Sequence, residues 1–210
     1  ALAHAQGEWV AITDIDVRPE QDWIEQLLLA NVPVGEETIV AVTGRTIFQT
    51  HTDLVSRFRA VEIASKYRSR PRRTSLANGP CSMFKRQALL DVGGFDPKWY
   101  HAEDMEVSLR LLNAGGSIVY APDALVAHVP EVGVRRFLQK RRRDARAHVR
   151  IVRHYPSRQR SGPGFDFIGS ASIALSIFPI TLLMLLSIIP LLMTYPFEQS
   201  WTEMWQTQLA

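Results

Sequence analysis

The chain has 210 residues, 46% of them hydrophobic, and 24 Lys and Arg against 21 Asp and Glu give a formal net charge of +3. Such a composition supports one sizeable core and excludes a disordered or strongly polyionic chain. The single cysteine, Cys81, excludes an internal disulfide and a cysteine-based metal site.

In chain order, ALAHAQGEWV has no initiating Met and no basic region before an apolar run, so it does not read as a signal peptide. It reads as the tail of a helix, a break at Gly7 and the start of a strand, and we expect further sequence upstream. Trp9 to Ile12 is a short apolar run, consistent with a buried strand. It leads into TDIDVRPE, where acidic residues begin. QDWIEQLLLA reads as a short helix, and ETIVAVTGRTIF as a strand through Ile39 to Phe48. Leu54, Phe58, Val61 and Ala64 mark one face of a helix from about Thr52 to Lys66. ANGP, Ala77 to Pro80, is a turn or loop. KRQALLDVGGFDP is a short helix ended by Gly93 and Gly94, which allow a tight turn. In HAEDMEVSLRLLNAGG, Met105, Leu109 and Leu112 recur at helical spacing, Leu111 widens the stripe, and Gly115 and Gly116 supply the stop. SIVYAP and ALVAHV are two strand-like runs. Alternating strands and helices predict an α/β layered domain with a mixed sheet over residues 1–130.

Two acidic groups stand out. Asp14 and Asp16 follow a buried strand, and alternation turns both side chains the same way. Such a pair either decorates a surface turn or shares a hard divalent cation. Ligands of open α/β sheets gather at the carboxyl ends of strands, which favours the second reading. Glu103 and Asp104 open a helix, where free backbone N–H groups and the helix dipole favour negative charge. From these residues alone they are equally well a cap or a catalytic pair.

GEWVAITDID, KRQALLDVGGFD and AEDMEVSLRLLNAG, in that order, resemble glycosyltransferase family 2, which has the GT-A fold. The last segment fits E-D-x-E-x-x-x-R-x-x-x-x-G at Glu103, Asp104, Glu106, Arg110 and Gly115. The resemblance covers residues 1–130 and implies the C-terminal portion of a GT-A-type mixed-sheet domain that lacks its N-terminal part. It implies transfer of a sugar from a nucleotide-sugar donor, usually with inversion. Asp14 and Asp16 would hold the donor diphosphate through a divalent cation, Mn2+ or Mg2+. Asp104 would be the catalytic base and Glu103 would orient neighbours or the acceptor. Asn78, Gly79, Cys81 and Ser82 lie in the segment that approaches acceptor or donor sugar, and His128 ends a strand where members of the family often carry a His. The chemistry is consistent with this assignment. Inverting transfer needs one base for the acceptor hydroxyl and a cation for the departing diphosphate.

Residues 131–165 form a basic juxtamembrane segment. From Val134 to Arg160, eleven Arg and Lys face one acid, Asp144, and Val134, Phe137, Leu138, Ala145, Val149 and Val152 give a weak helical stripe. Such a helix suits an anionic membrane surface. Nucleic acid is a poor alternative, because the run lacks a regular interleaving of aromatics with its arginines and adjoins an apolar segment. Processive members of the family carry Q-x-x-R-W after the base helix. Gln139-Lys140-Arg141-Arg142-Arg143 keeps the Gln and Arg and lacks the Trp. This argues against a polymerising synthase, with Gln139 and Arg142 still available to bind phosphate. Residues 167–197 carry no charge. They are long enough to span a bilayer, with Pro179 and Pro190 as kinks and Trp201 and Trp205 in an interfacial tail over 198–210. The arginines would place the catalytic domain in the cytoplasm. The expected partners are a nucleotide-sugar donor, a lipid or glycan acceptor and the membrane. A membrane-tethered, non-catalytic binding protein on the same fold is the competing expectation.

Overall fold

The computed structural model describes residues 2–160 and 178–189. The chain divides into two units, Ala1–Phe165 and Asp166–Ala210. Within the first, a six-stranded mixed sheet runs in the order β1, β5, β3, β6, β2, with β4 beside β6. The strands are β1 (Trp9–Ile12), β2 (Val17–Pro19), β3 (Ile39–Phe48), β4 (Arg73–Thr74), β5 (Ser82–Lys85) and β6 (Ser117–His128). Only β3 and β6 pair in parallel; the other pairs are antiparallel.

Helices α1 (Trp23–Leu29), α2 (Leu54–Arg68), α3 (Arg86–Asp91), α4 (Glu103–Asn113) and α5 (Val134–His154) complete the unit. The sheet is covered on both faces. Leu27 of α1 joins Val42, Met83, Val119 and Val126 in one core. Val107 and Leu111 of α4 join Ala41, Phe84, Leu89 and Ile118 in the other. Ala41 and Val42, neighbours on β3, point to opposite faces, which explains why one strand feeds two cores.

SIVYAP and ALVAHV are one strand. Between them β6 bulges, where Thr43 pairs with Tyr120 but Arg45 with Leu125. Pro122 sits in this exposed bulge, where its missing N–H breaks no ladder. Gly44 faces the bulge, and a Cβ there would lie 2.4 Å from the Ala124 carbonyl and from Cys81 Sγ. Only a glycine permits that approach.

Two predicted stripes are corrected. On α2, Leu54, Phe58 and Val61 point outward, 78%, 57% and 71% exposed, while Ser56 and Arg59 are buried. On α5, the predicted set mixes two faces. Phe137, Ala147 and Ile151 turn inward with Asp144, whereas Val134, Leu138, Ala145, Val149 and Val152 stay exposed. On α4 burial runs through Met105 to Leu109 and Leu111, taking in Glu106 and Ser108, and Leu112 is only partly covered.

In the second unit, residues 178–189 are helical, with their apolar side chains exposed. Among the described residues no helix is long and apolar enough to cross a membrane. The rest of the apolar run 167–197, and the tail 198–210, lie outside the described residues.

Candidate active site

The carboxyl end of β1 and the start of α4 converge on one loop. Asp14 and Asp16 lie in the turn between β1 and β2, not on a continuing strand. Asp104 follows Glu103 in the first turn of α4. Gly79 stands between the acidic groups. Its N–H donates to Asp104 Oδ2 at 3.2 Å, and a Cβ on it would lie 3.8 Å from both Asp14 carboxylate oxygens and 4.0 Å from Asp104 Oδ2.

Gly79 is held from beneath. Asn78 is buried and uses both ends of its side chain. Its Oδ1 accepts from Thr43 Oγ1 at 2.8 Å and its Nδ2 donates to Tyr67 Oη at 2.5 Å. Its own N–H donates to Thr43 Oγ1 at 3.1 Å, and Ser82 Oγ donates to its carbonyl at 2.5 Å. Ser82 and Cys81 are fully buried. Burial pushes the Cys81 thiol up to about 12, so it stays protonated. Of the four loop residues singled out in sequence, Gly79 reaches the acidic cleft and the other three build its floor.

The electrostatics separate the carboxylates. Burial pushes Asp104 up to about 6, an N–H bond from Met105 opposes this, and the charges of Glu103 and Asp14 add to the rise. The helix N-terminus favours the ionised form of Asp104, as the sequence suggests, and does not by itself set its pKa. Desolvation outweighs it. Asp14 is also raised, by loss of solvent first and the Asp16 charge second, with His128 and Lys140 opposing. Glu103 itself is exposed.

His128 closes the other side. It is 7% exposed and stacks on Phe48 with ring centroids 4.3 Å apart. Its Nδ1 lies 2.7 Å from the Val129 carbonyl. A carbonyl only accepts, so Nδ1 carries the hydrogen and, in the neutral ring, Nε2 keeps its lone pair. Nε2 faces Asp16 Oδ2 at 3.4 Å. Two acceptors face each other there, an arrangement that a proton or a cation between them satisfies. Asp16 and His128 are thus the pair of acceptors here that could share a divalent cation, with Asp14 in the same turn. Among the described residues no group of three or more His, Cys, Asp or Glu is already assembled at metal-holding distances.

On α5 the expected phosphate-binding pair and a further cation stand on different sides of the helix. Gln139 and Arg142 are exposed. Lys140 lies on the inward side, paired with Glu131, 5.9 Å over the Phe48 ring and within electrostatic reach of Asp14. Sequence reasoning missed it because it stands among arginines. The helical phase of Ala147 and Ile151, carried back two turns, reaches it. Glu106 and Arg110 form a bidentate ion pair with N–O contacts of 2.8 and 2.6 Å. Arg110 also donates to the carbonyls of Val92 and Gly94, which locks α4 to the glycine turn.

A mixed sheet with acidic residues at a strand end and a carboxylate opening the opposing helix is the arrangement that the resemblance to GT-A-type glycosyltransferases implies. A solved mannosyltransferase from Pyrobaculum calidifontis, PcManGT in complex with GDP-Man and Mn2+, shares the fold with a TM-score of 0.50 and 21% identity, covering 97% of this chain and 60% of that one. The family model described as glycosyl transferase family group 2 matches residues 9–202, and the chain belongs to that family. It is 31% identical over 134 residues to the pre-mycofactocin glycosyltransferase of Mycobacterium tuberculosis, in strains CDC 1551 / Oshkosh and ATCC 25618 / H37Rv. That alignment takes in 60% of this chain and 28% of those relatives, so the chain spans under a third of their length.

Proposed function

We propose that the chain carries the donor-diphosphate and base region of an inverting, metal-dependent glycosyltransferase. It would move a sugar from a nucleotide-sugar donor to a lipid-linked or glycan acceptor at the cytoplasmic face of a membrane. The observation that carries this reading is the placement of Gly79 between Asp14 and Asp104. A backbone without a side chain leaves room for a donor sugar between a diphosphate-holding carboxylate and a base. The relatives' names, and the GDP-Man and Mn2+ in the PcManGT complex, support a nucleotide-sugar donor and a divalent cation.

Asp104 takes the proton from the acceptor hydroxyl as that oxygen attacks the anomeric carbon. A new C–O bond forms there, and the bond from that carbon to the diphosphate oxygen breaks, its electron pair leaving with the diphosphate. A pKa near 6 keeps Asp104 ionised at neutral pH, yet makes it a better proton acceptor than an ordinary Asp. Asp16 and His128, with Asp14, would hold a Mn2+ or Mg2+ ion that neutralises charge on the leaving diphosphate. Lys140 adds a fixed positive charge on the same side. Glu103, beside the base, orients the acceptor. The uncharged run 167–197 with arginines on its N-terminal side supports a membrane anchor and a cytoplasmic catalytic domain.

A mass-spectrometric screen of nucleotide-sugars with the intact protein, Mn2+ and a membrane extract tests this. We expect one donor to be consumed and its sugar to appear with inverted anomeric configuration. Donor binding without turnover would favour the binding-protein alternative, and a retained configuration would refute the single-base assignment.

A further inference from the structure

We propose that Tyr67 of α2 is a positioning residue for the reacting carboxylate, acting through Asn78 to fix the Gly79 N–H against Asp104 Oδ2. The proposal rests on the reading of Asp104 as the base. Gly79 has no side chain, so only its backbone can be held. Its N–H belongs to the peptide that Asn78 begins, and whatever fixes Asn78 therefore aims that N–H. Among the described residues the Asp104 carboxylate meets two N–H donors, Met105 at 2.7 Å and Gly79 at 3.2 Å. Met105 moves with α4 itself. Gly79 is the donor that ties the carboxylate to another part of the fold.

The sheet holds Asn78 from below. Thr43 Oγ1 of β3 accepts from its N–H at 3.1 Å and donates to its Oδ1 at 2.8 Å. Ser82 Oγ of β5 donates to its carbonyl at 2.5 Å. The side-chain NH2 has one sheet partner, Thr46 Oγ1, at a long 3.4 Å. Its close partner is Tyr67 Oη at 2.5 Å, in the last turn of α2 and outside the sheet. The loop has a second tie to α4, Ala77 N–H donating to Ser108 Oγ at 3.1 Å, while Ser108 Oγ donates to the Asp104 carbonyl at 2.6 Å. That tie fixes the helix backbone and leaves the aim of the carboxylate to Gly79.

Tyr67 is itself held. Its ring stacks on Tyr120 with centroids 5.8 Å apart and planes inclined by 23°. The Arg70 guanidinium carbon lies 5.5 Å from the Tyr67 centroid and 5.4 Å from that of Tyr120, within cation–π reach of both. Arg70 also donates to Thr74 Oγ1 at 3.1 Å and to the Leu76 carbonyl at 2.7 Å. One cation thus grips the Tyr67 ring and the start of the loop that carries Asn78. Without the phenol oxygen, the buried Asn78 NH2 keeps only its long contact, and an unmet buried donor is costly. Asn78 relieves that cost by turning, and its turning swings the Gly79 N–H off Asp104. A misaimed base slows proton transfer and leaves the grip on the diphosphate unchanged.

The test compares Tyr67→Phe, Asp104→Asn and the double variant in the full chain. Tyr67→Phe keeps the ring and its stack and removes only the oxygen. With Mn2+ and the nucleotide-sugar consumed in the screen above, we expect its single-turnover rate to fall about tenfold while donor Kd stays within about twofold. In the Asp104→Asn background the same substitution should change the residual rate by less than about twofold, because an effect carried by Asp104 is already lost. Tyr155→Phe, which removes a phenol oxygen bonded to Glu106 of α4, should leave the rate near wild type and controls for a purely structural loss. One readout needs no donor: in 15N-glycine-labelled protein the Gly79 amide proton should move upfield in Tyr67→Phe, as its bond to the carboxylate lengthens. A Tyr67→Phe rate within about twofold of wild type, or an equal loss in both backgrounds, would overturn the proposal. So would a donor affinity that falls with the rate, or an unmoved Gly79 signal. Full turnover in Asp104→Asn would overturn the assignment of the base, and this proposal with it.

Discussion

Asp104→Asn is the most informative substitution, since it removes the base and keeps the volume. Both carboxylate oxygens face donors: Oδ1 accepts from Met105 N–H at 2.7 Å and Oδ2 from Gly79 N–H at 3.2 Å. An amide has one acceptor oxygen. The shorter contact claims it, and the NH2 then turns on Gly79 N–H. Leaving that donor unmet costs about 1–3 kcal/mol. The opposite effect comes from charge. Burial raises Asp104 from 3.8 to about 6, so its ionised form destabilises the fold. That cost is complete above pH 6 and fades as the pH falls from 6 towards 3.8. Removing the charge at pH 7 returns up to about 3 kcal/mol. The two effects offset to within about 2 kcal/mol, and Tm should move by no more than about 8 °C. Turnover should still fall by about a hundred- to ten-thousand-fold, the usual cost of losing a positioned base. Single-turnover rates at saturating donor measure that loss, and calorimetry measures donor affinity, which should hold. The wild-type kcat/KM should be flat above about pH 6 and fall about tenfold per unit below it, because the base must be ionised. The variant should lack that limb. A rate loss under about threefold, or an acid limb that survives the substitution, would refute the assignment.

Asp16→Asn should abolish the Mn2+-dependent part of donor binding in calorimetry, as it removes the carboxylate facing His128 Nε2, while leaving Tm nearly unchanged at this exposed turn. Gly79→Leu should lower turnover by more than about tenfold, since its branches extend past a Cβ already 3.8 Å from Asp14 and displace the reacting groups; activity near wild type would mean that the cleft is not where the sugar sits. Tyr155→Phe removes the hydroxyl that donates to Glu106 Oε1 at 2.7 Å. It should cost about 1 kcal/mol and lower Tm by about 2–4 °C, read by thermal melting. Finally, the chain should stay with membranes through high salt and carbonate and come off only in detergent; release by salt alone would show that arginines hold it and that the run 167–197 does not span.

Much of this was legible in the sequence because it is local. Trp9 to Ile12 is a strand because its apolar run is bounded by Gly7 and the acidic turn. The helix of Asp104 is readable from Met105 to Gly115, since periodicity and a glycine stop act within a few residues. The order of the acidic motifs was enough to name the family. Tertiary structure decided what distance in sequence conceals. It joined two runs into β6, because the parallel partner β3 carries hydrogen bonds across the Pro122 bulge. It set Asn78, Cys81 and Ser82 beneath the site, since Thr43 and Tyr67 satisfy the Asn78 side chain from other elements. The pKa of Asp104 rose because desolvation belongs to the assembled cleft, whereas the helix terminus is visible in the sequence. On α5, apolar residues mark two faces, and periodicity alone cannot say which one meets a core. Packing of Tyr155 against Trp99 and Glu106 fixed the inward face that Ile151 shares, Lys140 turned to Glu131 and the Phe48 ring, and the valines and most arginines were left pointing outward.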